Sequence, residues 1–259
     1  MKRAPACDSI VAHIVEAIGL AEESSDPFPH LRLRNFFPVE TYAAMVEKMP
    51  GAQVYRPMSG RARQVRESDG APTRTKLHLL PEFVQKLPSE QRDVWSEVGA
   101  ALHADAVRLA FARRLAHALE ERFAKPHDRI GLYPIAMLTR DVAGYHIGIH
   151  ADTPRKGITV QLYLPRDESI RHAGTQFHRQ RPDGAYERAY QAPFVPNSGY
   201  AFAVTEDSYH SLDALGPEVA TRDSILLTYF VDDTPWQVTK NRANRIGNWL
   251  AHSALNLKT

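Results

Sequence analysis

The stretch Tyr145-His146-Ile147-Gly148-Ile149-His150-Ala151-Asp152 constrains this chain more than any other. Ile147, Ile149 and Ala151 fall on one side of a two-residue period; His146, Gly148, His150 and Asp152 fall on the other. Such alternation, with β-branched residues, reads as a strand. Side chains two apart in a strand project the same way, so His150 and Asp152 are expected to reach one metal ion from one strand end. His103-Ala104-Asp105 repeats the tripeptide inside a stretch that reads as helix, Leu102 to Phe111. On a helix, positions i and i+2 do not face each other, so that copy is expected to be a surface pair.

A third ligand needs a second strand. The apolar run Gly199-Tyr200-Ala201-Phe202-Ala203-Val204 is followed by a turn and then by Tyr209-His210-Ser211-Leu212. The next segment, Ser224 to Phe230, reads as a strand buried on both faces. Arg222 and Ser224 open it on one shared face. Two imidazoles and one carboxylate form the ligand set for non-haem Fe(II) with open coordination positions. A downstream guanidinium beside a hydroxyl suits a carboxylate in a dry pocket, such as the distal one of a 2-oxoacid. Taken singly, a His-x-Asp is most often a surface pair, Arg222 a surface arginine and His210 a hydrogen-bonded strand-end histidine. Their joint order is what carries the reading.

At these residues the chain resembles the Fe(II)- and 2-oxoglutarate-dependent oxygenases, in their prolyl-hydroxylase-like branch, over about residues 130–232. The resemblance rests on His150/Asp152, Gly174-Thr175-Gln176-Phe177, Pro196-Asn197-Ser198-Gly199, His210 and Arg222/Ser224. A lead-in, Pro27-Phe28-Pro29-His30-Leu31 to Asn35-Phe36-Phe37-Pro38, is similar to that of bacterial members. The resemblance implies a mostly β fold, a double-stranded β-helix or jelly roll, packed by N-terminal and C-terminal helices. It implies iron on His150, Asp152 and His210, and the distal carboxylate of 2-oxoglutarate on Arg222 with Ser224. Tyr163 is implied as a further cosubstrate contact. The implied enzyme is a dioxygenase that uses O2 and 2-oxoglutarate, releases succinate and CO2, and oxidises a small-molecule metabolite, most simply by hydroxylation. Asp at position 152, where related halogenases carry a small residue, favours hydroxylation over halogenation.

Composition bounds the rest. The chain has 259 residues, 43% hydrophobic and 24% charged, ordinary for a globular protein. A net charge of +2 is too mild to argue for nucleic-acid binding. The single cysteine, Cys7, excludes an intrachain disulfide and points to a reducing cytoplasm. No apolar run is long enough to span a bilayer. Ile10, Val11, Ile14, Val15 and Ile18 fall at helical spacing among Asp8, His13 and Glu16, an amphipathic helix rather than a signal core. Gly-x-Ser-x-Gly is absent, and no glycine-rich phosphate loop follows a strand.

The chain reads as one oxygenase domain, residues 1–259. Residues 1–125 form a helical support region, with a long polar loop at 50–75 that is a candidate lid. Residues 130–232 carry eight or so short strands, and 235–252 a closing helix. Helices are expected over 8–22, from Pro38 through Met49, and between Leu80 and Phe123 with starts at Pro81 and Pro88; Leu31 to Phe36 reads as a strand. His146 is a candidate substrate contact, or equally a hydrogen-bonded barrel histidine. Arg61, Arg63, Arg66, Arg74 and Lys76, with Arg155-Lys156, either gather an anionic substrate or form a solvated basic surface; Arg63 and Arg66 are the named candidates. Trp95, Trp236 and Trp249 read as packing residues. Three rivals are weighed: a protein or peptide hydroxylase of the same fold, a cupin-like metal protein that does not use 2-oxoglutarate, and a non-catalytic jelly-roll binding module with a vestigial ligand set, against which the complete triad argues. Oligomeric state is not legible.

Overall fold

The computed structural model describes residues 5–58 and 64–255. In order these form α1 (Pro5–Gly19), β1 (Glu22–Ser24), β2 (His30–Arg34), α2 (Val39–Glu47), β3 (Arg56–Pro57), β4 (Arg74–His78), α3 (Pro81–Val84), α4 (Ser89–Leu102), α5 (Asp105–Arg114) and α6 (Ala116–Phe123). Then come β5 (Leu132–Asp141), β6 (Ile147–His150), β7 (Lys156–Tyr163), β8 (Gln176–Gln180), β9 (Tyr186–Gln191), β10 (Ser198–Ala203), β11 (His210–Leu212), β12 (Arg222–Val231) and α7 (Pro235–Leu255). The strands build two antiparallel sheets. The larger has the order β1-β2-β10-β7-β12-β5-β4-β3, the smaller β6-β11-β8-β9. The eight strands from β5 to β12 supply the double-stranded β-helix expected over 130–232.

The larger sheet has two chemically distinct faces because strand side chains alternate. Leu138, Val160, Leu162, Ala201, Ile225 and Leu227 point outward, into one core with Ile14 of α1, Trp95 and Val98 of α4 and Phe111 of α5. Ile10, Ile14 and Ile18, spaced by four, give α1 the stripe it buries there. The alternate residues, among them Thr139, Asp141, Thr159, Gln161, Arg222 and Ser224, are buried yet polar. They face the interior of the roll. Phe28, Phe177, Phe194, Tyr200 and Phe202 fill part of that interior.

Two close approaches fix the glycines of the motifs. A Cβ on Gly174 would stand 1.8 Å from the Ala192 carbonyl oxygen, and one on Gly199 2.1 Å from that of Gln161. The Pro-Asn-Ser-Gly turn is pinned by Asn197, which has φ 53°. Its Oδ1 accepts from Phe37 N at 2.9 Å and its Nδ2 donates to Phe37 O at 2.8 Å.

Several expectations need correction. Residues 1–125 are not only helical support, because β1 to β4 extend the larger sheet at both edges. The 50–75 segment is not one structureless loop. Ala52–Val54 forms a short 3-10 helix, Val65 and Pro72 make an isolated bridge, and β4 begins at Arg74. His103-Ala104-Asp105 sits at the junction of α4 and α5 rather than inside one helix; its two side chains go separately to Gly99 O and Arg108. Trp95 is buried as expected, but Trp236 and Trp249 on α7 are exposed. Pro38 and Pro88 precede α2 and α4, and Pro81 opens α3, as the sequence indicates. No helix among the described residues is long and apolar enough to cross a membrane.

Candidate active site

His150 ends β6 and His210 opens β11, and the two residues are register partners across the smaller sheet. Their ring centroids lie 4.3 Å apart. Asp152 follows two residues after His150, and one ligand atom from each of the three lies within 4.8 Å of the others. Each imidazole is oriented the same way. His150 Nδ1 is 2.9 Å from Gly148 O, and His210 Nδ1 is 2.9 Å from Ser208 O. A carbonyl only accepts, so Nδ1 carries the proton and the Nε2 lone pair is left for a metal.

The protonation states suit the same purpose. Burial works against ionisation of Asp152, but the Lys156 ammonium, His210 and donors from Lys156 and Thr159 outweigh it and hold the carboxyl at about 2. Lys156 Nζ lies 2.6 Å from Oδ1, and Thr159 Oγ1 donates to Oδ2 at 2.6 Å. Each carboxylate oxygen has two lone-pair directions, so ligation does not require breaking either contact. Burial depresses His210 to about 4. At neutral pH the set is therefore one carboxylate and a neutral imidazole at His210, the forms that bind metal.

The strand expected over 145–152 is shorter than its alternation suggests. Only Ile147–His150 pairs, and Asp152 lies beyond the strand, held by Lys156 and Thr159. A register shift against β11, between His210 and Leu212, breaks the period. Ile147 as well as His150 lines the central cavity, while Ile149 is exposed. His146 is exposed and lies on a separate outer groove with Gly148 and His178, whereas His150, Asp152 and His210 line the central cavity. Its backbone is held by the Gln64 side chain, which ties the 64–73 segment to the start of β6.

His150, Asp152 and His210 share one cavity with Arg222, Gln161 and Tyr200. Arg222 is 2% exposed. Its Nε donates to Ala173 O at 2.7 Å, its Nη1 to Asp141 Oδ2 at 2.8 Å, and its Nη2 lies 3.5 Å from Thr175 Oγ1. Ser224 is buried behind Gln161, whose Nε2 donates to Ser224 Oγ at 2.6 Å. The hydroxyl expected beside Arg222 thus does not line the cavity; Gln161 does. Tyr163 does not line the cavity; its hydroxyl donates to Thr175 Oγ1 at 3.1 Å and accepts from Thr175 N at 3.0 Å.

Of the basic cluster, Arg74 and Lys156 reach the cavity. Arg66 is exposed and pairs with Asp69 at 3.4 Å. Arg61 and Arg63 lie outside the described residues. The sequence alone gives no site role to Asp141, Tyr145, Thr159, Thr175 or Tyr200, although Thr175 stands in the Gly174-Thr175-Gln176-Phe177 motif. Thr159 was accessible in principle, since it shares a strand face with Gln161. The others depend on cross-strand register and packing that no local pattern reveals.

No protein family's sequence profile matches the chain, and no curated protein is similar to it. Solved structures do share its fold. A Pseudomonas putida prolyl-4-hydroxylase superposes with a TM-score of 0.50 at 16% identity, covering 86% of this chain and 100% of that one. A Trichoplax adhaerens prolyl hydroxylase, bound to a hypoxia inducible factor peptide fragment, gives 0.54 at 12% identity over 87% of this chain and 90% of that one. A prolyl 4-hydroxylase from Phytophthora capsici gives 0.53 at 13% identity over 91% and 69%. The chain therefore has the fold of these hydroxylases.

Proposed function

We propose that this protein is an Fe(II)- and 2-oxoglutarate-dependent dioxygenase that oxidises a small-molecule metabolite, by hydroxylation in the first instance. The observation that carries the reading is that His150, Asp152, His210 and Arg222 line a single cavity. The donor set fits Fe(II), with one carboxylate and two imidazoles leaving coordination positions open. Iron so held would supply the redox chemistry by which O2 and 2-oxoglutarate become succinate, CO2 and an oxidised product.

The chain's own residues do the positioning. Gly148 O and Ser208 O fix the tautomers of the two histidines. Lys156 and Thr159 keep Asp152 ionised and oriented. Arg222 uses three of its N–H groups on Ala173, Asp141 and Thr175. A guanidinium has five such groups, so donors remain for a distal carboxylate. Gln161, braced by Ser224, and Tyr200 line the walls between the two ends.

A cupin-like protein without a cosubstrate would have no use for a buried cavity arginine. The peptide-hydroxylase reading draws support from the fold it shares with the peptide-bound Trichoplax enzyme. To test the proposal, anaerobic protein is loaded with Fe(II), given 2-oxoglutarate and examined by visible absorption. A weak broad charge-transfer band is expected, absent in His150→Ala and diminished in Arg222→Ala. No band with iron demonstrably bound would overturn it. Succinate release with free metabolites against peptides then separates the two substrate classes.

A further inference from the structure

Arg222 is not alone at its end of the cavity. Arg74, Asp141 and Arg222 stand in one row across β4, β5 and β12, since Asp141 is the register partner of both arginines. Asp141 is fully buried and does not line the cavity, whereas both guanidiniums do. Arg222 Nη1 lies 2.8 Å from Asp141 Oδ2, and Arg74 Nε 3.2 Å from Asp141 Oδ1. Arg74 also donates to the Tyr145 hydroxyl. Two guanidiniums against one carboxylate leave the cluster with a net charge of +1.

That count decides what the cluster can hold. An Arg222–Asp141 pair alone would be neutral, and Asp141 would repel any second carboxylate brought to Arg222. With Arg74 ion-paired 3.2 Å from the other oxygen of Asp141, the carboxylate faces two positive charges and one of them is left over. The side chains of Arg222 and Asp141 are only 2% and 0% exposed, so that charge is poorly screened.

We infer that Arg74 is a positioning residue for the cosubstrate, neutralising Asp141 from the far side so that the charge of Arg222 is left for the distal carboxylate of 2-oxoglutarate. The inference rests on the 2-oxoglutarate reading of the cavity. It assigns a binding task to a residue that lies outside the core strands β5 to β12, on a strand that the N-terminal region adds to the sheet.

The test measures 2-oxoglutarate binding to Mn(II)-loaded protein by equilibrium dialysis, which needs no turnover. Arg74→Gln, which brings the cluster to neutrality, is expected to weaken binding by roughly ten-fold to several hundred-fold. Arg74→Gln/Asp141→Asn restores the +1 and is expected to recover most of the affinity. Arg74→Lys, which keeps the charge but not the fork, is expected to stay within about three-fold of wild type. A structural role for Arg74 predicts loss in the double variant too, and that result overturns the inference. So does undiminished binding in Arg74→Gln. Should the Gln variant not fold, loss of binding by a folded Arg74→Lys protein overturns it alone. Wild-type protein that binds no 2-oxoglutarate, or binds it equally well in Arg222→Ala, overturns the cosubstrate reading itself, and the inference with it.

Discussion

Asp141 and Arg222 face each other across β5 and β12, with Nη1 of the guanidinium 2.8 Å from Oδ2 of the carboxylate and neither side chain open to bulk water. The arginine that the sequence offers as an anion receptor already holds an anion inside the protein. Its capacity for a second one depends on its neighbours.

Removing Arg222 should therefore act on affinity more than on metal binding. Arg222→Ala is expected to weaken 2-oxoglutarate binding by about 30-fold to several thousand-fold, from the roughly 2–5 kcal/mol that truncating a buried charged partner costs. Fe(II) affinity should change little, because the metal ligands sit on other strands. Isothermal titration of each ligand separates the two effects, and an unchanged 2-oxoglutarate affinity would place the cosubstrate elsewhere.

The proposed metal ligands make the opposite prediction. His150→Ala and Asp152→Ala should each abolish stoichiometric Fe(II) binding, measured by metal analysis after desalting, while far-UV circular dichroism stays that of the wild type. Retained stoichiometric iron and turnover in either variant would sink the ligand assignment.

Gly174→Ala tests the fold around the anion end. The new Cβ would sit 1.8 Å from Ala192 O, and the neighbours there are backbone atoms that cannot swing aside. Overpacking of this kind costs about 1–3 kcal/mol or more. At about 2–4 °C per kcal/mol for a chain of this size, a drop in Tm of several degrees is expected. Gly148→Ala, where nothing lies within 4 Å, should cost far less in the same calorimetric comparison.

His30 predicts a pH dependence of stability. Burial pushes its pKa down, outweighing the raising effect of its bond to Phe28 O. The ring lies edge-on to Phe28 and Phe177 and stacks on Tyr190. A folded-state pKa below the unfolded value of about 6.5 means that the unfolded chain binds the proton more readily. Its contribution is complete above about pH 6.5 and is lost as pH falls through the unfolded value toward the folded one. Metal-free protein should thus lose stability on acidification below about pH 6.5, with His30 supplying at most about 1.4 kcal/mol per pH unit. Denaturant midpoints from pH 7.5 to 5 should fall less steeply for His30→Gln; identical slopes would remove His30 from the account.

Much of the site was written into short local patterns. His150 and Asp152 share a two-residue spacing at the end of a strand, and Arg222 and Ser224 share another at the start of β12. A strand period converts the second spacing into shared direction without help from the rest of the fold, whereas Asp152, beyond the end of β6, is aimed by Lys156 and Thr159. Leu226, Arg222 and Thr159 also follow their strands' alternation into the cavity. The pattern failed where a local irregularity broke the period. The register shift between β6 and β11 brought Ile147 to the cavity and left Ile149 outside, and His146, assigned by alternation to the ligand face, lies on the outer groove.

What the sequence determined by itself was the run of core strands between 130 and 232, the apolar stripes that pack the helices on them, and the residue types at strand ends. These depend on residues close together in the chain. What only the tertiary structure decided was which polar groups meet. Arg74 lies 67 positions from Asp141 and a further 81 from Arg222, yet strand register sets all three in one row. Tyr163, by contrast, spends its hydroxyl on Thr175 and does not itself line the cavity. Cross-strand pairing is fixed by hydrogen-bonded ladders between distant segments, and a one-residue slip would exchange the two faces of a strand. The charge balance of the pocket is therefore a property of the assembled sheet, invisible in any one of its strands.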